Sequence, residues 1–98
     1  MPNLLNAAFG ISFIRDMEYN FPRVSLDALP PGRSGRVVSI RGGRGLCLRL
    51  GRLGLRQGAM VRAVTHGAWR GPLLVEVNGA QVALGRGIAR RIVLQLLP

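Results

Sequence analysis

Two hydrophobic periods alternate along most of this chain. Residues 36–41, Arg-Val-Val-Ser-Ile-Arg, are rich in β-branched side chains and predict a strand with Val38 and Ile40 on one face. Leu46, Leu50 and Leu53 then recur at i, i+4 and i+7, which predicts a short amphipathic helix ended by Gly54. Met60 to Thr65 returns to period two, with Val61 and Ala63 sharing a face, and Leu73 to Val77 alternates again. Asn78-Gly79 is the pair that a two-residue type I′ hairpin turn demands, because both positions need positive φ. Val82 and Leu84 carry the returning strand, residues 86–90 predict one helical turn, and residues 92–96 a closing strand. Pro30-Pro31-Gly32, Gly42 to Gly45 and Gln57-Gly58 punctuate these elements, and a loop over 67–72 holds Trp69. Five short strands and one helix in so short a stretch predict a small, strongly bent barrel. Its expected core is Val38, Ile40, Leu46, Leu50, Leu53, Val61, Val75, Val77, Val82, Leu84, Ala89 and Ile92.

Residues 1–22 have a different character and read as an apolar leader ahead of a barrel over 23–98. The most apolar run, residues 4–14, is well short of the roughly 20 residues that a membrane-spanning helix needs. A secretory signal places its positive charge before the apolar run, whereas Arg15 follows this one, so the expected location is cytoplasmic. Leu5, Phe9 and Phe13 share a helical face, but Ile11 and Ile14 lie elsewhere on the wheel. Residues 4–14 are therefore expected to be helical when ordered and to bury Phe9 and Phe13 against another apolar surface, chiefly that of a second copy. Packing on the chain's own barrel, contact with a membrane partner, and translation starting at Met17 are the other readings of this segment.

Length and composition narrow the chemistry. Ninety-eight residues and 10.6 kDa make one domain. Fourteen arginines, no lysine and four carboxylates give a net charge of +10, and thirteen of those arginines follow residue 22, against Asp27 and Glu76. An apolar fraction of 48% with 18% charged residues excludes a disordered chain. A single cysteine, Cys47, excludes an internal disulfide framework. One histidine and four scattered carboxylates are too few for a protein-built zinc or di-iron site, and Cys47 with His66 would offer only two ligands. The Gly42-Gly43-Arg44-Gly45 stretch has Leu46-Cys47 where a phosphate-binding loop needs Lys-Ser/Thr, and Gly85-Arg86-Gly87 lacks the third glycine of a dinucleotide fingerprint. No Ser/His/Asp set can be assembled. An enzyme, a bound cofactor and a metal centre are accordingly not expected.

Binding is what remains. The net positive charge attracts phosphate, so nucleic acid is a rival partner. Against it, the basic part has one aromatic residue, Trp69, where single-strand binders offer several stacking rings, and its arginines are spread over every element. The same scarcity of rings argues against a polyproline-binding groove. The helix offers a better surface. Arg49 and Arg52 point away from Leu46, Leu50 and Leu53, and Leu48 falls beyond Arg52 on that outer side. A leucine among arginines suits a protein contact, although a lone exposed leucine is ordinary.

The order of the pieces adds a family. They are Ser25-Leu26-Asp27-Ala28-Leu29-Pro30-Pro31-Gly32, Gly35-Arg36-Val37-Val38-Ser39-Ile40, the helix exit Leu50-Gly51-Arg52-Leu53-Gly54-Leu55-Arg56-Gln57-Gly58, the hairpin from Gly71 to Gly79, and Val82 to Ile92. Over residues 25–96 this ordered set resembles the ferrous-iron transport protein A (FeoA) family. The resemblance implies a mainly β, SH3-like barrel of about five strands with one short helix, preceded here by the extra leader. It also implies a non-enzymatic, cytoplasmic accessory protein of ferrous iron uptake. Its partner would be the cytosolic part of the Feo membrane permease (FeoB), which carries a G domain, and docking would assemble or regulate that permease. With this partner in view, Leu48, Arg49, Arg52 and Arg56 are the expected partner-binding residues. A similar barrel forms the C-terminal module of iron-dependent repressors, so a nucleic-acid-binding or repressor-associated barrel is the alternative. Cys47 and Leu48 depart from the family pattern, standing where relatives tend to place polar or charged helix residues.

Overall fold

Turn chemistry sets the path of the chain in the computed structural model, which describes residues 21–67 and 71–97. The expectations for a leader helix over 4–14 and for Trp69 lie outside the described residues. Strand β1 (Arg23–Ser25) leads into a single 3-10 turn (Leu26–Ala28), then β2 (Ser34–Ile40), helix α1 (Arg44–Arg52), β3 (Met60–Thr65), β4 (Leu73–Val77), β5 (Ala80–Leu84), a helical turn α2 (Arg86–Ala89) and β6 (Ile92–Leu96). The strands form one antiparallel sheet in the order β1-β6-β2-β3-β4-β5. β1 and the 3-10 turn are additions to the elements expected above, and α2 falls on the helical turn expected over residues 86–90.

Each turn has a visible cause. Arg33 N–H bonds the Pro30 carbonyl at 3.0 Å and Gly32 has φ +86°, the signature of a type II turn with Pro31 at its second position. Asn78 (φ 53°) and Gly79 (φ 80°) make the type I′ turn between β4 and β5. Helix α1 ends in a Schellman motif. Leu55 N–H reaches back to the Leu50 carbonyl at 2.9 Å, Gly54 N–H bonds Gly51 at 3.0 Å, and Gly54 takes φ +89°. Leu50 and Leu55, the apolar pair of that motif, are both buried. A Cβ at Gly54 would stand 2.7 Å from Asn78 Nδ2 and 3.3 Å from Val77 Cγ1. Gly54→Ala is therefore expected to destabilise the domain by about 1–2 kcal/mol, chiefly through the left-handed backbone, as read by urea denaturation.

The core is one cluster that draws side chains from β2, β3, β4, β5, β6, α1, α2 and the 3-10 turn. A single sheet can surround a common core only by coiling. Two bulges supply the bend, one in β2 between Val37 and Ser39 and one in β3 between Ala63 and Thr65. The β2 bulge also corrects the expected core. Simple alternation put Val38 and Ile40 together, but the extra residue shifts the phase, so Val37 is buried (1% exposed) and Val38 is only half-buried. Ile40, Leu46 and Val82 pack on the cluster while partly exposed. Leu53 is 46% exposed because the helix stops at Arg52 and Leu53 belongs to the cap. Leu26, Leu29, Leu55, Leu73 and Leu94 are fully buried members that the period rules did not single out. At the start of β2, a Cβ on Gly35 would lie 3.0 Å from Leu94 Cβ and 3.2 Å from the Gln95 carbonyl, so a side chain there would press on β6.

Candidate functional site

Helix α1 stands on the sheet by one buried residue, Leu50, with Leu46 and Cys47 half-buried beside it. Its outer surface carries Leu48, 57% exposed, with Arg44, Arg49 and Arg52 also exposed. Arg49 and Arg52 fall in the last turn, where the partial negative charge of the C-terminal carbonyls favours cations. Neither makes an ion pair or side-chain hydrogen bond among the described residues. Arg56 is also exposed but is tied back, its Nη2 donating to the Gly51 carbonyl at 2.7 Å. That bond satisfies a carbonyl at the helix end and holds the guanidinium beside α1.

The four residues expected to bind a partner divide between two flanks of the helix. Leu48, Arg52 and Arg56 line one shallow groove of about 390 Å³, together with Cys47 and Gly51. A second groove of about 400 Å³ adjoins it across Cys47 and Arg56 and has Val38, Ser39, Ile40 and Gln57 as its other walls. The bulge in β2 turns Val38 into this space. Arg49 lies on the opposite flank, where a groove of about 240 Å³ runs between Leu46, Leu53, Ala83 and Ile88. The walls beside Cys47 were not legible in the sequence, because they depend on the bulge and on where the chain returns after α1.

Among the described residues, charge around α1 is of one sign. The two described carboxylates are engaged elsewhere: Glu76 pairs with Arg62 at 3.2 Å on the sheet, and Asp27 lies 3.8 Å from Arg90 and accepts from the Ser25 hydroxyl. None of these three grooves has a carboxylate among its described wall residues. His66 is used structurally, its Nε2 bonded to the Leu29 carbonyl at 2.5 Å while its own carbonyl accepts from Arg86 Nη2 at 2.6 Å. Among the described residues no three His, Cys, Asp or Glu side chains gather as metal ligands, and no helix is long and apolar enough to cross a membrane. The surface around α1 thus presents an apolar crest, grooves on both sides, and arginines along the rims.

Comparisons with known proteins agree with this architecture. The family model described as the FeoA domain matches residues 24–96. A crystal structure of an iron uptake regulatory protein (FeoA) is 33% identical, with a TM-score of 0.72 over 78% of this chain and 99% of that one. FeoA of Stenotrophomonas maltophilia, solved with zinc, is also 33% identical, with a TM-score of 0.62 over 72% of this chain and 88% of that one. It is described as a prokaryotic SH3 domain protein put forward as a ferrous iron transport activating factor. A manganese-dependent transcriptional repressor shares the fold at 23% identity and a TM-score of 0.71, and the match spans 80% of this chain but only 44% of the repressor. A search of curated proteins returned no match. The family match over most of its length, the SH3-like fold and the solved relatives together show that this chain belongs to the FeoA family, which is linked to ferrous iron transport.

Proposed function

We propose that this protein is a non-catalytic accessory of ferrous iron uptake that docks through the outer surface of α1 onto the cytosolic part of a FeoB-like permease. The observation that carries this reading is the exposed Leu48 between arginine-rimmed grooves with no carboxylate on their walls. Leu48 supplies apolar contact near the centre, while Arg49, Arg52 and Arg56 steer an acidic partner surface into place. Docking then assembles or regulates the permease; neither iron ligation nor nucleotide hydrolysis by this chain is involved. Its place of action is the cytoplasmic face of the membrane, where the partner holds it.

The alternative is a basic barrel acting on nucleic acid, favoured by the net charge of +10 and by the repressor that shares the fold. One experiment separates the two. The purified chain is titrated, at the same ionic strength, against the permease's cytosolic domain and against duplex DNA. Saturable binding to the permease domain, with only weak and salt-erased binding to DNA, is the expected result. Tight DNA binding without permease binding would overturn the docking reading.

A further inference from the structure

Among the described residues, the strand order makes β1 and β5 the edges of the sheet. An open edge is a row of backbone N–H and C=O groups ready to pair with another chain, and proteins blunt such edges with charge, proline, bulges or brevity. β1 is blunted: it has three residues, opens with Arg23 and follows Pro22. β5 has none of these devices. It reads Ala-Gln-Val-Ala-Leu, and its register with β4 is unbroken from Val77↔Ala80 to Leu73↔Leu84. In a two-residue hairpin the residues flanking the turn exchange backbone bonds, so Ala80, Val82 and Leu84 serve β4. Gln81 and Ala83 then aim their N–H and C=O groups away from the sheet. Both are exposed, and among the described residues no strand, turn or side-chain bond reaches them.

Two further observations say what would cover this edge. Residues 71–85 contain no arginine, and their one charge, Glu76, is paired with Arg62. In a molecule of net charge +10, this hairpin is, among the described residues, where a second copy meets the least repulsion. Beside the edge lies the apolar groove that includes Leu53, Ala83, Leu84 and Ile88. Leu53 has the spacing of a core residue yet is 46% exposed, and it adjoins the hairpin through Gly54, which abuts Val77 and Asn78.

We infer that β5 is a self-association edge: two copies pair their β5 strands antiparallel about a two-fold axis at Val82, joining two sheets into one. In this register Gln81 exchanges both backbone bonds with the partner's Ala83, and the axis repeats the exchange, so every outward N–H and C=O of the strand is satisfied. Val82 meets the partner's Val82 as a non-hydrogen-bonded pair, whose Cα atoms lie about 4.5 Å apart. The groove at Leu53 supplies apolar surface that strand pairing alone lacks. This inference does not depend on what docks at α1.

Sedimentation velocity of the full chain over a concentration series is expected to show a monomer–dimer equilibrium. Gln81→Arg/Ala83→Arg sets arginines directly opposite one another across the pair and should leave only monomer, with the circular dichroism of the parent. In a Cys47→Ser background, Val82→Cys should form an intermolecular disulfide under oxidised glutathione, since its Cα spacing falls within the roughly 4.4–6.8 Å that a disulfide spans. Gln81→Cys in the same background should stay reduced, because the two copies of position 81 are not opposite. The inference is overturned by a parent that stays monomeric at every concentration, by a dimer that survives the double substitution (one held by the leader, for example), or by equal cross-linking at positions 81 and 82. If the double variant fails to fold, the two cysteine variants decide.

Discussion

Leu50→Ala is expected to lower the stability of the domain by about 2–5 kcal/mol, the range for truncating a buried leucine. Leu50 is 3% exposed and is the only fully buried side chain that α1 contributes to the core. It is also the residue whose carbonyl accepts from Leu55 in the helix cap, and its side chain is buried in the same cluster as that of Leu55. A helix of nine residues is too short to persist by itself in water, so its order depends on this anchor. The consequence reaches function: when α1 frays, Leu48, Arg49 and Arg52 lose their common frame. Urea denaturation followed by circular dichroism measures the loss. Leu48→Ala is the control, expected within about 0.5 kcal/mol of the parent because its side chain is on the crest. A Leu50→Ala protein with the parent's midpoint would show that this face of α1 is not packed.

Reversing the charges at Arg49 and Arg52 should slow association with the permease's cytosolic domain by about tenfold or more at low salt. Neither guanidinium has a partner within the described fold, so their loss costs no contact. The stability change is confined to the interaction with the helix C-terminus, about 0.3–1 kcal/mol per residue, which leaves the domain folded. Association rates of Arg49→Glu/Arg52→Glu and the parent should converge as salt rises, because screening removes the steering term. The single reversals resolve which flank matters. Arg52 shares its groove with Leu48 and Arg56, whereas Arg49 faces the groove toward β5. A larger effect from Arg52→Glu places the contact on the Cys47 side; a larger effect from Arg49→Glu places it toward β5. A double reversal that associates like the parent at low salt would remove α1 as the docking surface.

Local rules were enough for much of this molecule. The hairpin at Asn78-Gly79, the bounds of β3, β4 and β6, and the stop of α1 at Gly54 were all readable, because each follows from the φ that one residue tolerates or from a period within one element. The family was legible for the same reason: its pieces are turn and cap signatures in a particular order. The outward direction of Leu48 and Arg52 followed from the helix wheel alone, whereas Arg49 lies on the flank beside Leu46 and Leu53. Other features required the tertiary structure. A bulge in β2 is invisible to alternation, since it arises from pairing with β6, and it moved Val37 into the core and Val38 into a groove wall. The burial of Leu26 and Leu29 depends on how the 3-10 turn closes over a sheet whose strands lie far away in sequence. Leu53 matched the period of the core but was left exposed where the helix ends, beside the edge strand. Strand order decided the rest. A chain that reads β4-turn-β5 says that these two strands pair; only the order of the other four shows that β5 has no second strand neighbour among the described residues. Local conformation is set by neighbouring residues, whereas grooves and edges are set by which distant segments meet, and no period along the chain encodes that.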